Sequence, residues 1–144
     1  MSSSAFHSVQ KHHVLVVDDE PHISRIIRTR FEQGPFTVTV VESGSEAIRA
    51  LSEHPDVRLL ILDLMLPGMS GLEILRDVRA DDRWKSLPCI VLTAAGQDAH
   101  FRTAHELGAS EFMTKPFSPR RLLARALFLV GAEDISVSDP VEQL

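Results

Sequence analysis

Tyrosine is absent from this 144-residue chain, and tryptophan and cysteine each occur once. With Cys89 alone, neither an internal disulfide framework nor a paired-cysteine zinc site can form, and the composition suits a reducing compartment. Long apolar runs are missing too. A membrane helix needs about 18–20 apolar residues, and the Leu122–Val130 stretch is cut by Arg125. No secretory signal is visible: Lys11, His12 and His13 precede the first apolar run, and Asp18-Asp19-Glu20 ends it. These absences point to a cytoplasmic protein without a membrane partner. A basic excess is lacking as well, with 15 Lys and Arg against 20 Asp and Glu. Four of the acids (Glu133, Asp134, Asp139, Glu142) fall after residue 130, where no Lys or Arg stands. Neither the body nor the tail carries the positive charge that binding a phosphate backbone requires, which argues against direct nucleic-acid binding.

What is present is an ordinary globular composition, 44% hydrophobic and 24% charged, of a size for one domain. Residues 1–12 read as a polar tail, 13–130 as the domain, and 131–144 as an acidic tail or truncated linker. From Val14 a rhythm begins. Val14–Val17 is a short β-branched run that ends at carboxylates. Ile23, Ile26, Ile27 and Phe31 then recur at helical spacing behind Pro21. Phe36–Val41 reads as a half-buried strand, and Ser43 with Glu46 as a capping box before Ala47, Ile48 and Leu51. Val57–Leu62 is apolar apart from Arg58, as in a strand covered on both faces. Ser70 with Glu73 caps a helix carrying Leu72, Leu75 and Val78. Cys89–Leu92 makes a fourth strand, Asp98–Leu107 a fourth helix stopped by Gly108, and Ser110–Thr114 a fifth strand. Ser118-Pro119 starts a last helix with Leu122, Leu123, Ala126, Leu127 and Val130 on its buried face. Strands alternating with helices imply parallel pairing and right-handed crossovers. The expected fold is an α/β, flavodoxin-like (βα)5 doubly wound five-stranded sheet in strand order 2-1-3-4-5.

In such a sheet the site lies beyond the carboxyl ends of the strands. The polar residues at those ends are Asp18 and Asp19, Asp63, Thr93 and Lys115. Each alone is an ordinary turn or surface residue; together they make a constellation. Three carboxylates within about 4–5 Å repel by several kcal/mol at an effective dielectric near 20, so the cluster must protonate or recruit a cation. Oxygen donors with room for water suit Mg²⁺. Lys115 and the Thr93 hydroxyl can meet the oxygens of a phosphoryl group, and a carboxylate can serve as the nucleophile that accepts it. Asp63, after the central strand, is the best placed.

The segments VLVVDDEP (14–21), LLILDLMLPGMSGLEIL (59–75), CIVLTA (89–94) and ASEFMTKPFSPRRLLARAL (109–127) resemble the receiver domain of bacterial two-component response regulators, over roughly residues 12–130. The resemblance implies a phosphorylation switch rather than an enzyme. It implies Asp63 as phosphoacceptor, Asp18 and Asp19 with the Met65 backbone carbonyl as Mg²⁺ ligands, and Lys115, followed by a cis bond to Pro116, as the phosphoryl-binding cation. Thr93 and Phe112 become the switch pair. Met65 and Ala95 stand where the family tunes hydrolysis, and neither can hydrogen-bond an attacking water through its side chain. The implied partners are a histidine kinase or phosphotransfer protein and an output protein or output domain. A homodimer through the fourth helix, fifth strand and fifth helix is a further implication. Receivers that dimerise this way carry two acids before the switch aromatic. Here Ser110-Glu111 stands instead, and Arg120, Arg121 and Arg125 face either a partner or solvent.

Other features read as structural. The seven histidines are expected at the surface, Trp84 as a packing lid and Cys89 as inert core. Three alternatives stay open: a receiver cut from a longer regulator, for whose output domain residues 131–144 are too few, a Mg²⁺-dependent aspartyl-phosphate hydrolase, and a degenerate flavodoxin-like scaffold. Met65, where the hydrolase would need a second acid, counts against the second; the complete acid, threonine and lysine set counts against the third.

Overall fold

Four short runs rich in branched apolar residues, and a fifth strand of mixed sequence (EFMTK), form one parallel sheet. The structure, a computed structural model, describes residues 11–66, 68–94 and 98–132, without the side chains of 98–100. The tail segments 1–10 and 133–144 and residue Ala95 lie outside the described residues. The elements are β1 (His12–Val17), α1 (Pro21–Glu32), β2 (Phe36–Val41), α2 (Gly44–Glu53), β3 (Val57–Asp63), α3 (Gly71–Ala80), β4 (Cys89–Ala94), α4 (Asp98–Glu106), β5 (Glu111–Lys115) and α5 (Pro119–Leu129). The sheet order is β2-β1-β3-β4-β5, with every pairing parallel, as the alternation predicts.

Strand periodicity sorts the core into two layers. Leu15, Val17, Leu60, Leu62, Cys89 and Val91 point to the side covered by α2, α3 and α4, where Ala47, Leu51, Ile74, Leu75, Val78 and Ala104 meet them. Val14, Val16, Leu59, Ile61, Ile90 and Leu92 point to the side of α1 and α5, against Ile27, Phe31, Leu122, Ala126 and Leu127. Residues 14–17, 59–62 and 89–92 are fully buried, which is why these strands show no polar alternation.

The helix starts follow their caps. Ser70 and Glu73 make both bonds of a capping box. Ser43 accepts from the Glu46 amide, but the Glu46 carboxylate reaches past it to the Glu42 N–H, at 2.9 Å, so the expected box is only half made. Ser118 accepts from the Arg121 amide ahead of Pro119. Helix α5 ends in a Schellman turn: Gly131 at φ 76° and Ala132 donate back to Phe128 and Leu127.

Several expectations shift. β1 begins at His12 rather than Val14, because the His12 amide donates to Pro35 O at 2.7 Å and its ring packs on Phe36. Thr93 and Ala94 continue β4, and β5 runs to Lys115. Ile26 leaves the buried stripe of α1 and is 42% exposed; 23, 27 and 31 share one face, and Ser24 fills the inward position instead. His13 is buried, not a surface residue. Trp84 closes one end of the α2–α4 layer as expected, and the Arg79 guanidinium below it donates to the carbonyls of Trp84, Leu87 and Gly108.

Candidate functional site

The carboxyl ends of β1, β3, β4 and β5 bring the sequence-predicted polar residues to one edge of the sheet. Asp18 directly follows β1 and is 1% exposed. Its Oδ1 accepts the Glu20 amide at 2.8 Å, a turn that sends the chain into α1. Asp63 ends β3 and is also buried. Its Oδ1 accepts the Met65 amide at 2.9 Å, which turns the chain out of the sheet and leaves Oδ2 for the pocket. Asp19 lies beside them, half-buried. One oxygen from each of Asp18, Asp19 and Asp63 falls within 4.8 Å of the others.

Lys115 crosses from the edge strand to meet this group. Its four-carbon stem gives the reach that a shorter cation lacks. Nζ lies 3.0 Å from Asp63 Oδ2, 3.1 Å from Asp18 Oδ2 and 2.6 Å from Glu20 Oε1. The Lys115-Pro116 peptide is cis, as expected. Thr93 is buried in β4, one residue beyond Leu92, the register partner of Asp63. Gly71 closes the loop after Asp63. A Cβ there would stand 2.5 Å from Asp63 O and 2.6 Å from Leu64 Cα, so only glycine lets α3 start this close to the acidic strand end.

The charges are unevenly balanced. Burial pushes the Asp18 carboxyl above its ordinary value; the Glu20 amide opposes this, the Asp63 charge adds to it, and Lys115 offsets part. Burial by itself would lower the Lys115 ammonium, but hydrogen bonds to Glu20 and Asp63 and the Asp63 charge outweigh it, so Lys115 is held above its ordinary value as a fixed cation. Glu20 is held below its ordinary value by its bond to Lys115. Asp18 Oδ2, fully buried, has Lys115 close by but no aligned hydrogen-bond donor. A buried carboxylate oxygen that has an ion pair but no hydrogen-bond donor, beside two other carboxylate oxygens, fits a small divalent cation such as Mg²⁺.

Two further residues, outside the set that the sequence singles out, contact this cluster. Glu20 stands at the N-cap of α1 but makes no side-chain cap; its carboxylate turns to Lys115 instead. Ser24, in the first turn of α1, directs its hydroxyl to the carbonyls of Asp18 and Glu20 at 3.5 and 3.4 Å. Glu20 was legible as a third consecutive acid; a serine inside a helix carries no such signal.

Residues 14–127 match the sequence model of the family described as response regulator receiver domain. The chain belongs to that family. Receiver domains are phosphoacceptor switches of two-component phosphorelay signalling rather than enzymes of the ordinary kind. This receiver is 39% identical over 118 residues to the transcriptional regulatory protein ResD of Bacillus subtilis, covering 81% of this chain and 47% of that protein. It is 39% identical over 132 residues to the response regulator SaeR of Staphylococcus aureus, covering 92% and 56%. The chain thus spans about half the length of these curated relatives. Among solved structures it resembles the chemotaxis response regulator CheY4 of Vibrio cholerae, with TM-score 0.77 and 25% identity over 83% of this chain and 99% of that one.

On the β5 side of this receiver, Phe112 is half-buried and stacks on Phe101 of α4, with ring centroids 4.0 Å apart. Arg125 of α5 pairs within the chain with Glu111 and lies over the Phe128 ring at 4.7 Å. Its charge therefore already has a partner, whereas the sequence left it facing either another subunit or solvent. Met65 is 50% exposed beside the pocket. Among the described residues, no helix is long and apolar enough to cross a membrane.

Proposed function

We propose that this receiver takes a phosphoryl group from the phosphohistidine of a histidine kinase or phosphotransfer protein onto Asp63. The observation that carries the reading is the Lys115 ammonium within 3.0–3.1 Å of oxygens of both Asp63 and Asp18, in a pocket completed by Asp19. Asp18, Asp19, Asp63 and the backbone carbonyl of Met65 would hold Mg²⁺. That ion would neutralise charge on the phosphoryl oxygens.

The chain's own groups do the rest. The buried Asp63 carboxylate attacks phosphorus in line, the P–N bond breaks, and the imidazole leaves with the electron pair. Lys115 passes from Glu20 to a phosphoryl oxygen, so Glu20 acts as a placeholder on the cation until the phosphoryl group arrives. The Thr93 hydroxyl donates to another oxygen. Its inward movement makes room for Phe112, which exchanges its stack on Phe101 for the space vacated. The face made by α4, β5 and α5 moves between two packings, and phosphorylation biases that equilibrium. This face would contact an output protein or domain, or a second copy of the chain. Neither Met65 nor Ala95 has a side chain that can hold an attacking water, so the aspartyl phosphate is expected to last minutes or longer. Loss within seconds from the purified chain would reject that lifetime.

The test is incubation with Mg²⁺ and acetyl phosphate, read by intact mass beside Asp63→Asn. One phosphoryl group on the wild type alone is the expected result. No addition to wild type with Mg²⁺ bound, in acetyl phosphate or with a kinase, overturns it. A second reading, a receiver joined to an output domain, is favoured by the coverage of about half of ResD and SaeR; a longer source reading frame would decide it.

A further inference from the structure

At the opposite end of the sheet from the acidic pocket, a second set of ligating side chains converges. His13 lies near the start of β1, His54 at the C-cap of α2, and Asp56 just before β3. One ligand atom from each falls within 4.8 Å of the others. The buried His13 ring places Nδ1 3.0 Å from Asp56 Oδ2 and Nε2 2.7 Å from Thr39 Oγ1. The His54 ring meets His13 edge-on, with centroids 5.1 Å apart at 74°.

We propose that His13, His54 and Asp56 form a Zn²⁺ site, separate from the acidic pocket. The donor set decides the ion. Two imidazoles and one carboxylate are a common zinc set, whereas the all-oxygen pocket at the other end suits Mg²⁺. The spacing is close to that required. A tetrahedral ion with bonds of about 2.0–2.1 Å holds its ligand atoms roughly 3.3 Å apart. His13 Nδ1 and Asp56 Oδ2 already stand at 3.0 Å. His54 is half-buried and Asp56 exposed, so both side chains have freedom to close the remaining distance.

Thr39 supplies the outer support that a metal-bound histidine needs. When Nε2–H donates to Thr39 Oγ1, the Nδ1 lone pair points at the Asp56 carboxylate. Two electron-rich atoms at that distance need a cation between them, either a proton or a metal ion. A plain hydrogen bond accounts for His13 and Asp56, while His54 packs edge-on against His13 and also brings a ring nitrogen within 4.8 Å of both ligand atoms. The exposed Asp56 side leaves the fourth position to water. The ion would join the start of β1 to the segment leading into β3, the two strands that carry Asp18 and Asp63 at their far ends.

The test is calorimetric titration of the full, metal-stripped chain, free of any histidine tag, with ZnCl2 in excess Mg²⁺. One Zn²⁺ per chain is expected, weakened at least tenfold by His54→Ala and by Asp56→Asn and unaffected by Asp63→Asn. The mutated side chains lie at or near the surface, so the variants should keep the fold, checked by circular dichroism. In parallel, imidazole ¹⁵N spectra should show Zn²⁺ moving Nδ1 of His13 while its Nε2 keeps its proton. The proposal is overturned by absence of Zn²⁺ binding, by binding that both His54→Ala and Asp56→Asn leave intact, by binding lost in Asp63→Asn, or by spectra in which only other histidines respond.

Discussion

Asp18 shows at the scale of one residue how burial and charge oppose each other. Burial holds its carboxyl above the ordinary value, so the charged form is disfavoured by folding. The native state binds more protons than the unfolded state in that range, and stability therefore falls as pH rises through the unfolded value of about 3.9 toward the native one. Without divalent ions the penalty reaches its full size once pH exceeds the native value. Asp18→Asn is expected to raise the urea midpoint under those conditions and, on the proposed Mg²⁺ site, to abolish the added stability expected of Mg²⁺ in the wild type. A lower midpoint in the variant would reject this account. Glu20 has the opposite sign: Lys115 holds it low, so its stabilisation is present above the unfolded value and lost as pH falls through the native one. Because Glu20 is half-exposed, Glu20→Gln should cost less than about 1 kcal/mol and still accept phosphate on Asp63. Cys89, fully buried, has its thiol pushed up to about 12 by desolvation, so a thiol reagent should modify it at pH 8 only after denaturant is added.

At the scale of an element, the connection from β3 to α3 sets the geometry around Asp63. Gly71 brings the helix onto the backbone of Asp63 and Leu64, and Ser70 with Glu73 fixes where the helix begins. Gly71→Ala must move that backbone, and about 1–3 kcal/mol of destabilisation is expected from overpacking. A slower reaction with acetyl phosphate should accompany it. Ser70→Ala removes the cap for about 1 kcal/mol and should leave phosphoacceptance unchanged; denaturation curves and mass spectra of the two variants separate the effects. These caps were legible because serine and glutamate three apart before an apolar run state a helix start. The Ser43–Glu46 spacing states the same device, yet the Glu46 carboxylate takes the Glu42 amide. Sequence spacing cannot choose between two neighbouring donors.

Across the whole molecule, one sheet with a helical layer on each face carries an acidic pocket at one end and a histidine cluster at the other. Any ligand that binds only the folded state raises stability by mass action, about 2.7 kcal/mol at a hundredfold excess over Kd. Mg²⁺ should therefore raise the melting temperature of wild type and not of Asp63→Asn. Alternation of apolar strands with amphipathic helices, ended by acids, a threonine and a lysine, was enough to expect a doubly wound parallel sheet, the order 2-1-3-4-5 among the few it allows, and the acidic edge. Those are local periodicities, and a right-handed crossover leaves few ways to assemble them. Tertiary structure alone decided the rest. Lys115 meets Glu20 across 95 positions of chain, and His13 meets Asp56 across 43. Such pairs form because strand register brings distant residues to the same end of the sheet, and no local pattern records which neighbour a side chain will find there.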